Sequence, residues 1–217
     1  MNIEQARFNM VEQQIRTWEV LDQEVLDLLY LVKREDFVPA AYRALAFSDL
    51  EIPIGHGESM WQPKLEARVL QELAVRKTNK VLEIGTGSGY FTALLARCAL
   101  HVHSVEIRPE LKTLGDENLR RAGIANITLE SGDGARGWAK HAPYDVIVLT
   151  GSTPVLPPQF LQQLRIGGRL VAVVGDLPMM EARLITCTSE GAHNSIDLFE
   201  TCVAPLQKAL QGERFTF

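Results

Sequence analysis

Val81-Leu82-Glu83-Ile84-Gly85-Thr86-Gly87-Ser88-Gly89-Tyr90 is the stretch on which the fold turns. A short apolar run carries an acid at Glu83, bends through Gly85, Gly87 and Gly89, and leads into Phe91-Thr92-Ala93-Leu94-Leu95-Ala96, which reads as a helix. Strand, glycine turn and helix in that order build a nucleotide-binding corner, because glycine permits a tight turn and lets a ligand approach the backbone. No Lys-Ser or Lys-Thr follows the glycines, so a P-loop is excluded. A dinucleotide fingerprint, GxGxxG, needs glycine at position 90, where the chain has Tyr90. The third glycine comes one residue early.

Downstream, short apolar runs at 81–84, 101–107, 127–130, 144–149 and 169–174 alternate with stretches that read as helices. Alternation of this kind predicts a doubly wound α/β fold with a mostly parallel sheet and right-handed crossovers. Beyond Gly175 the pattern changes, and runs at 182–187 and 196–203 lie close enough to pair as an antiparallel edge. Residues 81–217 thus form the expected core. Residues 51–80 precede it as a loop, with Pro53, Gly55, Gly57 and Pro63, and a lead-in helix carrying Leu65, Val69, Leu70 and Leu73 on one face. A loop of that length beside a nucleotide corner is expected to serve function.

Residues 1–50 read as a helical extension packed on the core as part of one domain. Phe8, Val11, Ile15 and Trp18 suggest one helix. Val25, Leu28, Leu29 and Val32, following the N-cap candidate Asp22, suggest a second. Lys33-Arg34 would complement the dipole at its end, and Pro39 discourages continuation.

With 217 residues, 46% of them hydrophobic and 23% charged, the chain has an ordinary globular composition. A net charge of -5 argues against a phosphate-tracking surface, so no nucleic-acid partner is expected. Cys98, Cys187 and Cys202 form no CxxC pair and are not grouped with histidines, so no metal site is expected. No apolar run approaches the ~20 residues that span a bilayer. Met1-Asn2-Ile3-Glu4-Gln5-Ala6-Arg7 lacks the pattern of a secretory leader. The expected setting is cytoplasmic, with no membrane partner.

The nucleotide is narrowed by two further acids. Glu106 ends the second core strand, where a carboxylate can accept from both ribose hydroxyls. Asp133, within Gly132-Asp133-Gly134, closes the third, where it can accept from an adenine amino group while Gly134 lets the base lie against backbone. Glycine turn and acids fall at successive strand ends on the carboxyl edge, where ligands bind in open α/β sheets. The expected ligand is S-adenosylmethionine, with S-adenosylhomocysteine as its product. The candidate cofactor residues are Glu83, Gly85, Thr86, Gly87, Ser88, Gly89, Glu106, Asp133, Gly134 and Thr150.

These motifs are those of a class I methyltransferase with a Rossmann-like fold. More narrowly, the chain resembles the protein-L-isoaspartate O-methyltransferase family. The likeness runs through Arg34-Glu35-Asp36-Phe37-Val38-Pro39, Ile54-Gly55-His56-Gly57, Gln62-Pro63, the glycine turn, Gly132-Asp133-Gly134, Gly137-Trp138 and Val203-Ala204-Pro205-Leu206. The resemblance implies a seven-stranded sheet closed by an antiparallel hairpin. It also implies methyl transfer to the carboxylate of isoaspartyl residues in damaged proteins, a repair reaction.

The chain departs from the family in one place. The family loop reads Gly-Gln-Thr-Ile-Ser before its Gln/Ala-Pro, whereas this chain reads Gly57-Glu58-Ser59-Met60-Trp61 before Gln62-Pro63. Trp61 stands at the position of a serine treated as catalytic or positioning, and Ser59 could supply a substitute hydroxyl. Ser59 and Trp61 are therefore the candidate catalytic residues. A milder departure is Thr150-Gly151-Ser152 for Thr-Ala-Ala. Trp61 narrowing the pocket, and Glu58 repelling an anionic acceptor, predict weak or altered isoaspartyl activity. A different acceptor, or cofactor binding without turnover, is the alternative.

Overall fold

The computed structural model describes residues 2–212. Met1 and residues 213–217, the outermost ends of the first and last expected segments, lie outside the described residues. The core is one seven-stranded sheet of β3 (Lys80–Ile84), β4 (His101–Glu106), β5 (Ile127–Ser131), β6 (Tyr144–Leu149), β7 (Leu164–Asp176), β8 (Met179–Ser189) and β9 (Ala192–Glu200). Their spatial order is β5-β4-β3-β6-β7-β8-β9. The β5 to β7 pairings are parallel, while β7–β8 and β8–β9 are antiparallel. The order reverses between β3 and β6, so the carboxyl ends of β3 and β6 open a crevice there.

Both sheet faces are covered, which is why β6 is apolar without a break over residues 146–149. Val146 and Val148 join the larger core cluster, and Ile147 and Leu149 the smaller. Three helices, α3 (Pro63–Leu73), α4 (Tyr90–Cys98) and α5 (Pro109–Arg121), pack their apolar residues into the larger cluster with the amino-terminal extension. The short α6 (Pro158–Gln162) places Phe160 in the smaller. β7 begins earlier than the 169–174 run suggests. A register shift between Tyr144 and Val146, opposite a stretch containing Gly167-Gly168, absorbs extra residues as a bulge, so the glycines interrupt the pattern without ending the strand.

The amino-terminal segment forms α1 (Ile3–Asn9), a π-helical turn (Met10–Ile15), a short 3-10 turn (Arg16–Trp18) and then α2 (Gln23–Leu31). Phe8 is 49% exposed, whereas Met10, Val11 and Ile15 are fully buried. The wider π turn brings residues five apart onto one face, which an α-helical stripe cannot do. Asp22 caps α2 as expected, accepting from the Glu24 amide at 2.9 Å. Arg34 does not serve the dipole of α2. The helix ends at Leu31, and Arg34 is buried, ion-paired with Glu66 and donating to the Trp61 carbonyl at 2.6 Å. Arg7 is likewise buried against Glu35. The Arg34–Glu66 pair fastens the extension to α3, and Arg7–Glu35 ties two parts of the extension together.

The expected loop at 50–63 is instead a hairpin of β1 (Ile52–Gly55) and β2 (Glu58–Met60). Its turn residues, His56 and Gly57, have φ of 57° and 81°, the left-handed pair of a type I′ turn. Pro53 is tolerated because the two-stranded ribbon leaves every strand at an edge.

Candidate active site

The parallel strands end together, so the turns after β3, β4, β5 and β6 converge on one cleft of about 270 Å³. Its walls include Gly85, Gly87, Glu106, Asp133, Gly134 and Thr150, with the hairpin residues Glu58, Ser59 and Trp61 opposite. A smaller chamber of about 60 Å³ adjoins it, bounded by Thr86, Ser88, Phe91 and Glu66. Ile54, Ser59, Trp61, Gly85, Gly87 and Thr150 line both and mark their junction.

Two backbone features hold the glycine turn open. Gly85 has φ of 102°, and its amide donates to the Val105 carbonyl at 2.8 Å. The Thr150 hydroxyl donates to the carbonyls of Ile84 and Gly85, both at 2.8 Å. Glu106 accepts the Gly87 amide at 2.9 Å and the Arg108 amide at 3.0 Å, which orients the carboxylate along the cleft. Carboxylate oxygens have further lone pairs, so these bonds leave acceptor capacity for a ribose. Asp133 accepts the Ala135 amide at 3.0 Å and has a weak cationic neighbour in Lys208, 3.5 Å away.

Glu83 and Gly89 do not line either chamber. A Cβ at Gly89 would come within 3.0–3.1 Å of Leu119 and the Gly115 carbonyl, so this glycine serves close packing of the turn against α5. Glu83 is fully buried one layer below, accepting from Ser104 at 2.6 Å and from Thr92. Ser104 in turn bonds Thr86 at 2.6 Å, so Glu83 acts on the turn through a hydroxyl relay. Burial drives the Glu83 carboxyl up to about 8, against the opposing pull of the Ser104 and Thr92 hydrogen bonds.

Because the folded value lies above the unfolded one, the neutral acid stabilises the fold fully below about pH 4.5, and that contribution is lost as pH rises through about 8. Glu83→Gln cannot titrate and is expected to flatten the fall in stability between those limits. Urea unfolding at pH 5, 6.5 and 8 reads this directly. Parallel curves for variant and wild type would remove Glu83 as the source.

Gly137-Trp138 lies beneath the site. A Cβ on Gly132 would come within 2.5 Å of the Trp138 ring. The Trp138 amide is fixed by Gln163 at 2.8 Å, and its indole N–H donates to Glu130 at 2.8 Å. The tryptophan is thus a floor for the Gly132–Gly134 backbone. The same region gathers His103, Glu130 and His141, with ligating atoms within 4.8 Å of one another. The rings of His103 and His141 stack at 4.1 Å and 16°, and Glu130 is shared by His141 at 2.8 Å, Trp138 at 2.8 Å and Lys140.

Several lining residues escape the sequence reading: Glu66, Phe91, Leu206 and Gln207. Gln207 donates to Glu58 at 2.8 Å, and Arg108 reaches the same oxygen at 3.2 Å, tying the hairpin to the carboxyl-terminal segment. Phe91 and Leu206 fall in stretches the sequence marks without showing that they line a cleft, and Glu66 stands out by its charge. It falls on the apolar stripe with Val69, Leu70 and Leu73, where a carboxylate is out of place.

The fold and cleft define a class I S-adenosylmethionine-dependent methyltransferase. A model of the protein-L-isoaspartate(D-aspartate) O-methyltransferase family matches residues 5–208, and the chain belongs to that family. A protein-L-isoaspartate O-methyltransferase of Methanoculleus marisnigri is 41% identical over 95% of this chain and 94% of its own length. One from Syntrophobacter fumaroxidans is 40% identical over 88% and 89%. Among solved structures, a protein-L-isoaspartate O-methyltransferase superposes with a TM-score of 0.77 at 26% identity, covering 94% of this chain; the chain spans 65% of that structure. A Plasmodium falciparum beta-aspartate methyltransferase in complex with S-adenosyl-L-homocysteine superposes at 0.76 and 19% identity, covering 92% and 97%, and shows the same fold.

Proposed function

We propose that the protein transfers the methyl group of S-adenosylmethionine to the free carboxylate of L-isoaspartyl residues in damaged proteins, as a repair step in the cytoplasm. The observation that carries this reading is one cleft in which Gly85, Gly87, Glu106 and Asp133 face the hairpin residues Ser59 and Trp61. The residues fit the cofactor. Glu106 offers acceptors for ribose hydroxyls, Asp133 an acceptor for an adenine amino group, and Gly134 a bare backbone against which a base can lie. The described residues contain no helix long and apolar enough to cross a membrane.

The cofactor supplies an electrophilic methyl on a sulfonium. An acceptor carboxylate with a pKa near ~4 is already ionised at neutral pH, so no general base is needed, and the chain's task is alignment and exclusion of water. Ser59, at the chamber junction, has a hydroxyl able to orient an acceptor oxygen. The indole of Trp61 walls the same junction and provides a π face for a cation, worth ~0.5–2 kcal/mol. Family membership favours isoaspartyl transfer over a changed acceptor. Labelled-methyl assays with an isoaspartyl peptide and its aspartyl counterpart test this. Transfer to the isoaspartyl form alone is expected, and transfer to neither would sink the proposal.

Glu58 lines the cleft, ion-paired with Arg108 and accepting a hydrogen bond from the Gln207 amide. Glu58→Gln removes an anion from the acceptor side and frees Arg108 to attract a carboxylate. The expected result is a fall in the KM for isoaspartyl peptide of roughly threefold, consistent with a partly exposed ion pair worth at most ~1 kcal/mol. A raised KM would show that the clasp matters more than the repulsion.

A further inference from the structure

The small chamber has one ionisable residue in its wall, Glu66. The side chain comes from the first turns of α3 and is 3% exposed. Arg34, itself fully buried, bonds one oxygen, Oε2. No other described residue donates to this carboxylate. The rest of the chamber wall is neutral: Ser59, Thr86, Ser88, the Gly85 and Gly87 backbone, and the faces of Trp61 and Phe91.

A buried carboxylate on an otherwise apolar helix face is costly to desolvate, and burial moves Glu66 up to about 7 even with Arg34 beside it. Burial of this kind is offset when a cation completes the pair from the open side. The geometry of the cleft says which cation arrives. The acids suited to a nucleoside, Glu106 and Asp133, line only the large chamber, whereas Glu66 lines only the small one. A ligand whose nucleoside lies in the first and whose chain passes Gly85, Gly87 and Thr150 ends in the second. In S-adenosylmethionine that end is an amino acid carrying an α-ammonium.

We infer that Glu66 is the counter-ion of the cofactor's α-ammonium, held in place by Arg34, and that it makes the small chamber selective for an amino-acid tail. This rests on the methyltransferase reading above. Arg34 also donates to the Trp61 carbonyl, so the residue that fixes the counter-ion also fixes the wall at the chamber junction. The ammonium donates to Glu66, and the neutral Ser88 hydroxyl, which only accepts from the Tyr90 amide, remains for the carboxylate end.

Calorimetric titration of the full chain with S-adenosylhomocysteine, with its analogue lacking the α-amino group, and with 5′-methylthioadenosine tests the assignment without turnover. In the wild-type protein, loss of the amino group is expected to weaken binding by roughly 10- to 100-fold, the range of a charge-assisted hydrogen bond in a buried site. Glu66→Gln is expected to weaken S-adenosylhomocysteine to a similar degree while leaving 5′-methylthioadenosine unchanged, which also shows that the variant is folded. Equal affinity of the wild type for the first two ligands overturns the inference, and that arm decides it even if Glu66→Gln fails to fold. Equal loss of S-adenosylhomocysteine and 5′-methylthioadenosine in a folded variant overturns it too. Failure of the wild type to bind any of the three would instead sink the methyltransferase reading beneath it.

Discussion

Gly85→Ala is expected to weaken S-adenosylhomocysteine binding by about 100-fold, the upper part of what a forced left-handed backbone and a local clash together impose. A Cβ at this position would lie 2.2 Å from Oγ1 of Thr150, and the backbone sits at φ of 102°. Relief by moving Thr150 would break its bonds to the carbonyls of Ile84 and Gly85 and shift the wall of both chambers. Gly57→Ala is the matched control. It also has a positive φ, 81°, but its Cβ would meet nothing within 4 Å. Calorimetry should show a small effect at Gly57 and a large one at Gly85. Binding by Gly85→Ala within threefold of wild type would mean that the turn does not carry the ligand.

The second large effect is structural. Trp61→Ser restores a hydroxyl at the position where the family has one, and from the sequence it promises a roomier acceptor pocket. The fold adds a cost. Trp61 is only 7% exposed, belongs to the larger core cluster, and packs against Phe91 with ring centroids 5.8 Å apart. Emptying such a site typically costs about 3–5 kcal/mol. In a chain of this size that lowers the unfolding midpoint by roughly 10 °C. Trp61→Phe, which keeps an aromatic ring on Phe91, should recover much of the loss. A midpoint for Trp61→Ser within about 3 °C of wild type would show that the indole faces solvent and does not pack in the core. Activity of the serine variant is therefore interpretable only below its own transition.

The architecture was legible because its signals are local. Apolar runs of strand length alternate with helical spacing, and three glycines after an acid mark the turn after β3. Glu106 and Asp133 were legible for the same reason, since strand ends in a parallel sheet share one edge. The hairpin at β1 and β2 was not, because Pro53, Gly55 and Gly57 signal a break equally well as a loop or a tight reversal. Glu83 stood in the cofactor motif on paper, yet the pleat turns its side chain into the core, where Ser104 and Thr92 receive it.

By itself the sequence determined the doubly wound core, the short glycine spacing that selects S-adenosylmethionine over a dinucleotide, and the resemblance to one family. Only the tertiary structure decided that Glu58 meets Gln207, 149 positions away, and that Arg34 supports both Trp61 and Glu66. It also decided that the cleft has a second chamber with a single charged residue in its wall. The physical reason is range. Periodicity and backbone freedom act over a few residues and can be read along the chain, whereas the partner of a buried charge is set by how distant segments close on one another.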